Sequence, residues 1–156
     1  MAVAKVLFWL ALSVWLGAIV FFSFVVAPGI FRTLPRESAG EVVGALLLRY
    51  YTLGTLAGAV GLGAAIVLWR AAASPGWSVV SCMLALMLGA TLYAGCLVEP
   101  RARALRPTLY QAGAEPDARA EFDGLHRLAV RLNAAVLVLG VASVCVAAGS
   151  LELPRR

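Results

Sequence analysis

Proton chemistry in this sequence could rest on its one histidine, His126, and on the carboxylate of Glu99-Pro100-Arg101. An imidazole changes charge near neutral pH, and a glutamate beside it could act as acid or base. Asn133 follows His126 by seven residues, nearly two helical turns. The spacing therefore predicts a stripe holding Phe122, His126, Ala129, Asn133, Gly140 and Ala147 on one helix face. By residue counting, Arg49 lies at a depth comparable to Glu99, so a Glu99–Arg49 or a Glu99–His126 contact is expected. Arg101 and Arg36 are further cations in the same region.

Other chemistries have thinner support. Met83 and Met87 stand in M-x-x-x-M spacing, and thioethers suit soft metals such as Cu(I). On a helix, however, Cys82 and Cys96 point away from that pair, and apolar packing explains all four residues. The three cysteines form no C-x-x-C motif and give no disulfide framework. One histidine cannot supply both axial ligands of a haem. The P-loop, G-x-S-x-G, H-E-x-x-H and dinucleotide patterns are absent. No metal and no cofactor is expected.

The elements that must position these residues are set by charge. Of the 156 residues, 62% are hydrophobic and 13% charged, about half the charge of an ordinary soluble domain. No Asp, Glu, Lys or Arg occurs in residues 6–31, 50–69, 71–98 or 132–151. Each window reaches the ~20 residues a helix needs to cross ~30 Å of hydrocarbon. Strand alternation is absent, so a barrel is not expected. The first window is too long for the apolar core of a signal peptide and three more follow, so it is read as a span. The expectation is an all-α, antiparallel four-helix transmembrane bundle forming one membrane domain over 1–156. Its spans lie near 6–28, 50–69, 77–98 and 132–151. The lipid bilayer is its expected surroundings. The net charge of +5 is spread without a long basic run, which argues against nucleic acid.

Residues 29–49 and 99–131 form the expected cap. Ser38-Ala39-Gly40-Glu41 has the capping-box form and predicts a helix from there to Trp69. Pro116 suits the first turn of a helix running into the last span. Both helices outgrow the bilayer on the same side. Pro107 and the stretch Gly113–Pro116 are expected to limit helix in the third loop. Glu99 is expected to end its helix at Pro100. Asp123, Arg127 and Arg131, spaced by four, predict a solvated or headgroup-facing strip. Phe8, Trp9, Tyr50, Tyr51, Trp69 and Trp77 fall at span ends and are expected to mark the interface. Trp15 falls inside a span, so its indole N–H needs a partner in the bundle. Gly54 and Gly58 form a G-x-x-x-G face for close packing, inside the chain by preference or against a second copy. Lys5, Arg70, Arg155 and Arg156 lie on the side of the termini, and the other nine of the 13 Lys and Arg lie opposite. The count favours a cytoplasmic cap and outward termini, in the cell membrane for a bacterial chain.

Three motifs carry a resemblance. Phe31-Arg32-Thr33-Leu34-Pro35-Arg36 follows span one, Glu99-Pro100-Arg101 follows span three, and Phe122, His126 and Asn133 give F-x(3)-H-x(6)-N before span four. In this order they resemble the transmembrane protein 205-like family, a four-span domain of unknown function, over nearly the whole chain. Gly17 also matches a glycine of that family. The resemblance implies a four-span membrane protein and no settled activity. It marks Gly17, Arg36, Glu99, Pro100, Arg101, His126 and Asn133 as candidate positions. Ala129 stands where the family commonly has serine.

The leading expectation is a non-enzymatic membrane protein that binds a small solute or ion, or helps it move, through a seam involving Glu99, His126, Asn133 and Arg49. The alternatives are a membrane enzyme using Glu99 and His126 on a lipidic substrate, and a scaffold subunit docking through the Gly54/Gly58 face or the cap.

Overall fold

The computed structural model describes residues 1–109 and 116–150. Four long helices make it up: α1 (Ala2–Thr33), α2 (Arg36–Ala72), α3 (Pro75–Leu109) and α4 (Pro116–Gly149). Each holds an apolar stretch long enough to cross a bilayer. Within hydrocarbon the backbone has no water to bond, so each uncharged window closes its hydrogen bonds along its own helix. The result is an all-α, antiparallel four-helix bundle. Arg155, Arg156, the end of the last span and the Gly113–Pro116 stretch before Pro116 lie outside the described residues.

At 32 to 37 residues, the helices are about 48 to 56 Å long, against ~30 Å of hydrocarbon. The surplus of α2 and α4 forms the cap expected from the sequence, and α1 and α3 extend into it as well. This corrects two expectations. Glu99 does not end its helix, because α3 runs on through Pro100 and Pro107 to Leu109. Nor does Ser38 start α2. Leu34 is extended (φ −117°, ψ 152°), as a residue before proline prefers, and the helix begins at Arg36 directly after Pro35.

Proline also reshapes the helices it interrupts. α1 and α3 each contain one π turn, Phe22–Val26 and Ala94–Val98, ending two residues before Pro28 and Pro100. A proline in a helix removes an N–H and pushes against the carbonyl four residues earlier. Widening the preceding turn accommodates that carbonyl without breaking the rod. Both π turns lie toward the cap end of the bundle.

Around the bundle α1 packs on α2, α2 on α3 and α3 on α4, while α4 and α1 meet over a narrower strip. Phe8, Leu12, Trp15 and Ile19 of α1, Leu68 of α2, Val80, Leu84 and Met87 of α3, and Val136 and Ala147 of α4 fill the centre. Phe8 and Trp77 meet edge to face at 5.1 Å and are buried, so at their span ends these two rings pack into the core. Trp69 is exposed at its span end, as expected. Many large apolar side chains face outward, Leu10, Leu56, Leu86 and Val138 among them, which suits lipid and would not suit water.

Gly54 and Gly58 are buried beneath the Trp15 ring. A Cβ on Gly58 would lie 2.8 Å from Trp15 Cη2 and 3.0 Å from Leu88 Cδ1. The face offered by the sequence to a second copy is thus covered from within the chain. On α4, Gly140 takes Leu16 and Met87 in the same way. Gly58→Ala should therefore lower stability by about 1–3 kcal/mol through overpacking, measured by denaturant titration in detergent. Gly63→Ala, with nothing within 4 Å of the added carbon, should not. Ala73 closes α2 in the left-handed region (φ 47°, ψ 29°), so Ala73→Gly should raise stability by about 1 kcal/mol in the same assay.

Candidate functional site

Three helices exchange side-chain hydrogen bonds just inside the cap. The Tyr50 hydroxyl on α2 donates to Asn133 Oδ1 on α4. Asn133 Nδ2 donates to Ser23 Oγ, in the first π turn of α1, at 3.0 Å. The Phe22 ring stacks on Tyr50 at 4.9 Å and holds that phenol in place. Asn133 is only partly buried, yet both ends of its amide are engaged. In a span such an amide is costly unless bonded, and bonded across helices it fixes their register.

Directly below this seam lies a cavity with room for about one water. Trp15 of α1, Tyr50, Tyr51 and Gly54 of α2, Ala90, Thr91 and Ala94 of α3, and Ala129, Leu132, Asn133 and Val136 of α4 line it. Gly95, in the second π turn, lets Tyr51 approach closely: a Cβ there would lie 2.9 Å from Tyr51 Cβ. Beneath the cavity the core is apolar, with Leu12, Leu84 and Met87 fully buried.

Glu99 lies just past the second π turn and is buried, at 6% exposed. Its partners are on its own helix. Arg103, one turn on, donates from Nε to Oε1 at 3.2 Å and sets Nη2 3.0 Å from Oε2. Arg106 Nη2 lies 3.8 Å from Oε1, and its guanidinium rests over Gly44 of α2, where a Cβ would collide with it. Tyr51 is within electrostatic range of the same carboxylate. The cluster thus ties α3 to α2 above the cavity.

The other candidates are dispersed. Among the described residues neither Arg49 nor His126 pairs with Glu99; both are exposed. His126 stacks on Phe122, one turn earlier on its own helix, at 6.5 Å. The stripe on α4 therefore holds inward at Asn133, Gly140 and Ala147 and fails at His126, whose side chain is exposed although the helix there still packs on the end of α3. Arg101 and Arg36 are exposed. Asp123, Arg127 and Arg131 form the expected exposed strip, without an ion pair between them among the described residues. Met87 is fully buried, and the Met83 sulfur lies 3.6 Å from the Ser143 hydroxyl oxygen, so both thioethers pack toward α4.

Ser23, Tyr50, Thr91, Arg103 and Arg106 were not among the site residues expected from the sequence. One signal was available: Glu99 and Arg103 have the i, i+4 order that favours a helix pair. It is hidden by reading Pro100 as a stop. Ser23 and Thr91 carry no local signal.

Fold and surface define the class, an integral multi-pass membrane protein. The chain belongs to the family described as domain of unknown function (DUF4149), whose family model matches residues 10–111. That match takes in Phe31–Arg36 and Glu99-Pro100-Arg101 and ends before His126 and Asn133. No curated protein and no solved structure matches the chain.

The seam should be measurable by double-mutant cycle. Asn133→Ala should cost about 1 kcal/mol of stability in detergent, and Tyr50→Phe less. The double variant should lose less than the two together, with a coupling of about 0.5 kcal/mol or more. Additive losses would mean that the two side chains do not interact.

Proposed function

We propose that this protein is a non-enzymatic membrane protein that binds a small polar solute or ion at the cap end of its bundle. One observation carries the reading: a cavity lined by Trp15, Tyr50, Tyr51, Thr91 and Asn133 lies where four helices meet under a charged cap. Polar groups at one mouth of a small-residue bundle are costly unless they serve packing or a ligand. Movement of a solute through the whole bundle has less support, because the buried Leu12, Leu84 and Met87 fill the path below. The enzyme reading has less support still, since Glu99 is engaged by Arg103 and Arg106 and is not joined by His126. Orientation follows the basic residues, with the cap cytoplasmic and the termini outside. The three motifs continue to favour the transmembrane protein 205-like family as the narrower assignment, and we take residues 1–156 as one membrane domain.

The test is thermal unfolding of the purified protein in detergent against sodium, potassium, ammonium and fluoride at equal ionic strength. At least one of them should raise the midpoint of the wild type and leave that of Asn133→Leu unmoved. Equal responses of the two proteins to all four would remove the reading.

A further inference from the structure

Two buried polar side chains at the cavity have no partner among the described residues. Trp15 is 2% exposed, and its indole Nε1–H has no acceptor there, yet the nitrogen is not sealed off. Thr91 is 7% exposed. The buried hydroxyls of Ser81 and Ser143 bond back to the carbonyls of Trp77 and Leu139, each at 2.8 Å, whereas the Thr91 hydroxyl makes no such bond. Both residues line the cavity. A Cβ on Gly54 would lie 3.1 Å from Trp15 Nε1 and 3.3 Å from Thr91 Cγ2. The missing side chain of Gly54 is therefore what lets the indole edge and the Thr91 methyl pack down on α2.

An indole N–H held in a dry place without an acceptor is a net cost. The cavity takes a body of about one water, and a buried water needs two to four polar partners. We propose that this cavity is a resident one-water site. The water accepts from Trp15 Nε1–H and donates to the oxygens of Thr91 and of the tyrosine wall. A cation fits less well, because the floor of the site presents an N–H donor to it. The proposal rests on the cavity being the binding site argued above and names its resident: the molecule that an incoming solute must displace. It also completes a polar clasp over all four helices, from Ser23 through Asn133 and Tyr50 to the water and on to Trp15 and Thr91.

Full-length protein labelled with ¹⁵N-tryptophan in nanodiscs tests this. The four indole N–H signals are assigned by single Trp→Phe substitutions. The Trp15 signal should show a cross-relaxation peak at the water frequency. Thr91→Val should shift that signal and weaken the peak at least twofold, Thr91→Ser should restore both, and the signals of Trp9, Trp69 and Trp77 should stay in place. Absence of the water peak in the wild type would overturn the proposal, and that measurement decides the matter even should Thr91→Val not fold. A Trp15 signal that has no water peak in salt-free buffer and shifts on adding potassium or ammonium chloride, and not choline chloride, would overturn it in favour of a cation. The two readings fail separately. A missing water peak leaves the response of the Asn133 variant to solutes as measured, and a solute panel without effect leaves the water peak in place.

Discussion

A backbone that enters hydrocarbon has nothing to bond but itself, and the architecture of this protein follows from that constraint. It makes each uncharged window a helix and makes every interruption expensive. Pro28 and Pro100 are such interruptions. They are absorbed by π turns at Phe22–Val26 and Ala94–Val98, which keep the rods whole. Ser23 lies in the first of these turns, while Ala94 of the second lines the cavity and its Gly95 seats Tyr51. The polar layer is thus assembled where the two proline-bearing helices depart from α-helical geometry.

The same constraint governs packing. Lipid tails are as apolar as the helix surfaces, so the bundle gains from close fit rather than from escaping water. Trp15 shows how this is arranged. Its ring lies across Gly54 and Gly58 of α2, so one of the two tryptophans of the core meets the smallest residues of its neighbour. The fit covers the apolar part of the indole and leaves its N–H at the edge of the cavity. The close approach of α1 to α2 thus arises from one glycine pair.

Charge is handled differently on the two sides of the polar layer. Below it, the described residues of the spans carry only hydroxyls, indoles, thiols and thioethers. Above it, Glu99 is buried yet matched by Arg103 at 3.0 Å, with Arg106 reaching across to Gly44. A buried carboxylate so matched is no longer an obvious base, and its clearest effect is to hold the cap portions of α2 and α3 together. Burying an ion pair carries a desolvation cost, so specific geometry rather than added stability is the physical gain.

Composition and the spacing of charges were sufficient for the membrane, the four spans, the all-α class and the cap over α2 and α4, because hydrophobicity and length are properties of the chain itself. Asn133, Glu99 and the Gly54/Gly58 pair were also legible, as residue types unusual in their surroundings. What the sequence could not decide was pairing. It aimed His126 inward, yet that side chain is exposed, since α4 turns other residues toward α3 at this level. It ended α3 at Pro100, yet a π turn carries the helix past it to Arg103 and Arg106. Ser23, Tyr50 and Thr91 joined Asn133 and Trp15 only through tertiary structure, because which faces of four separate helices meet depends on packing between residues as far apart as 110 positions, and no local pattern records that.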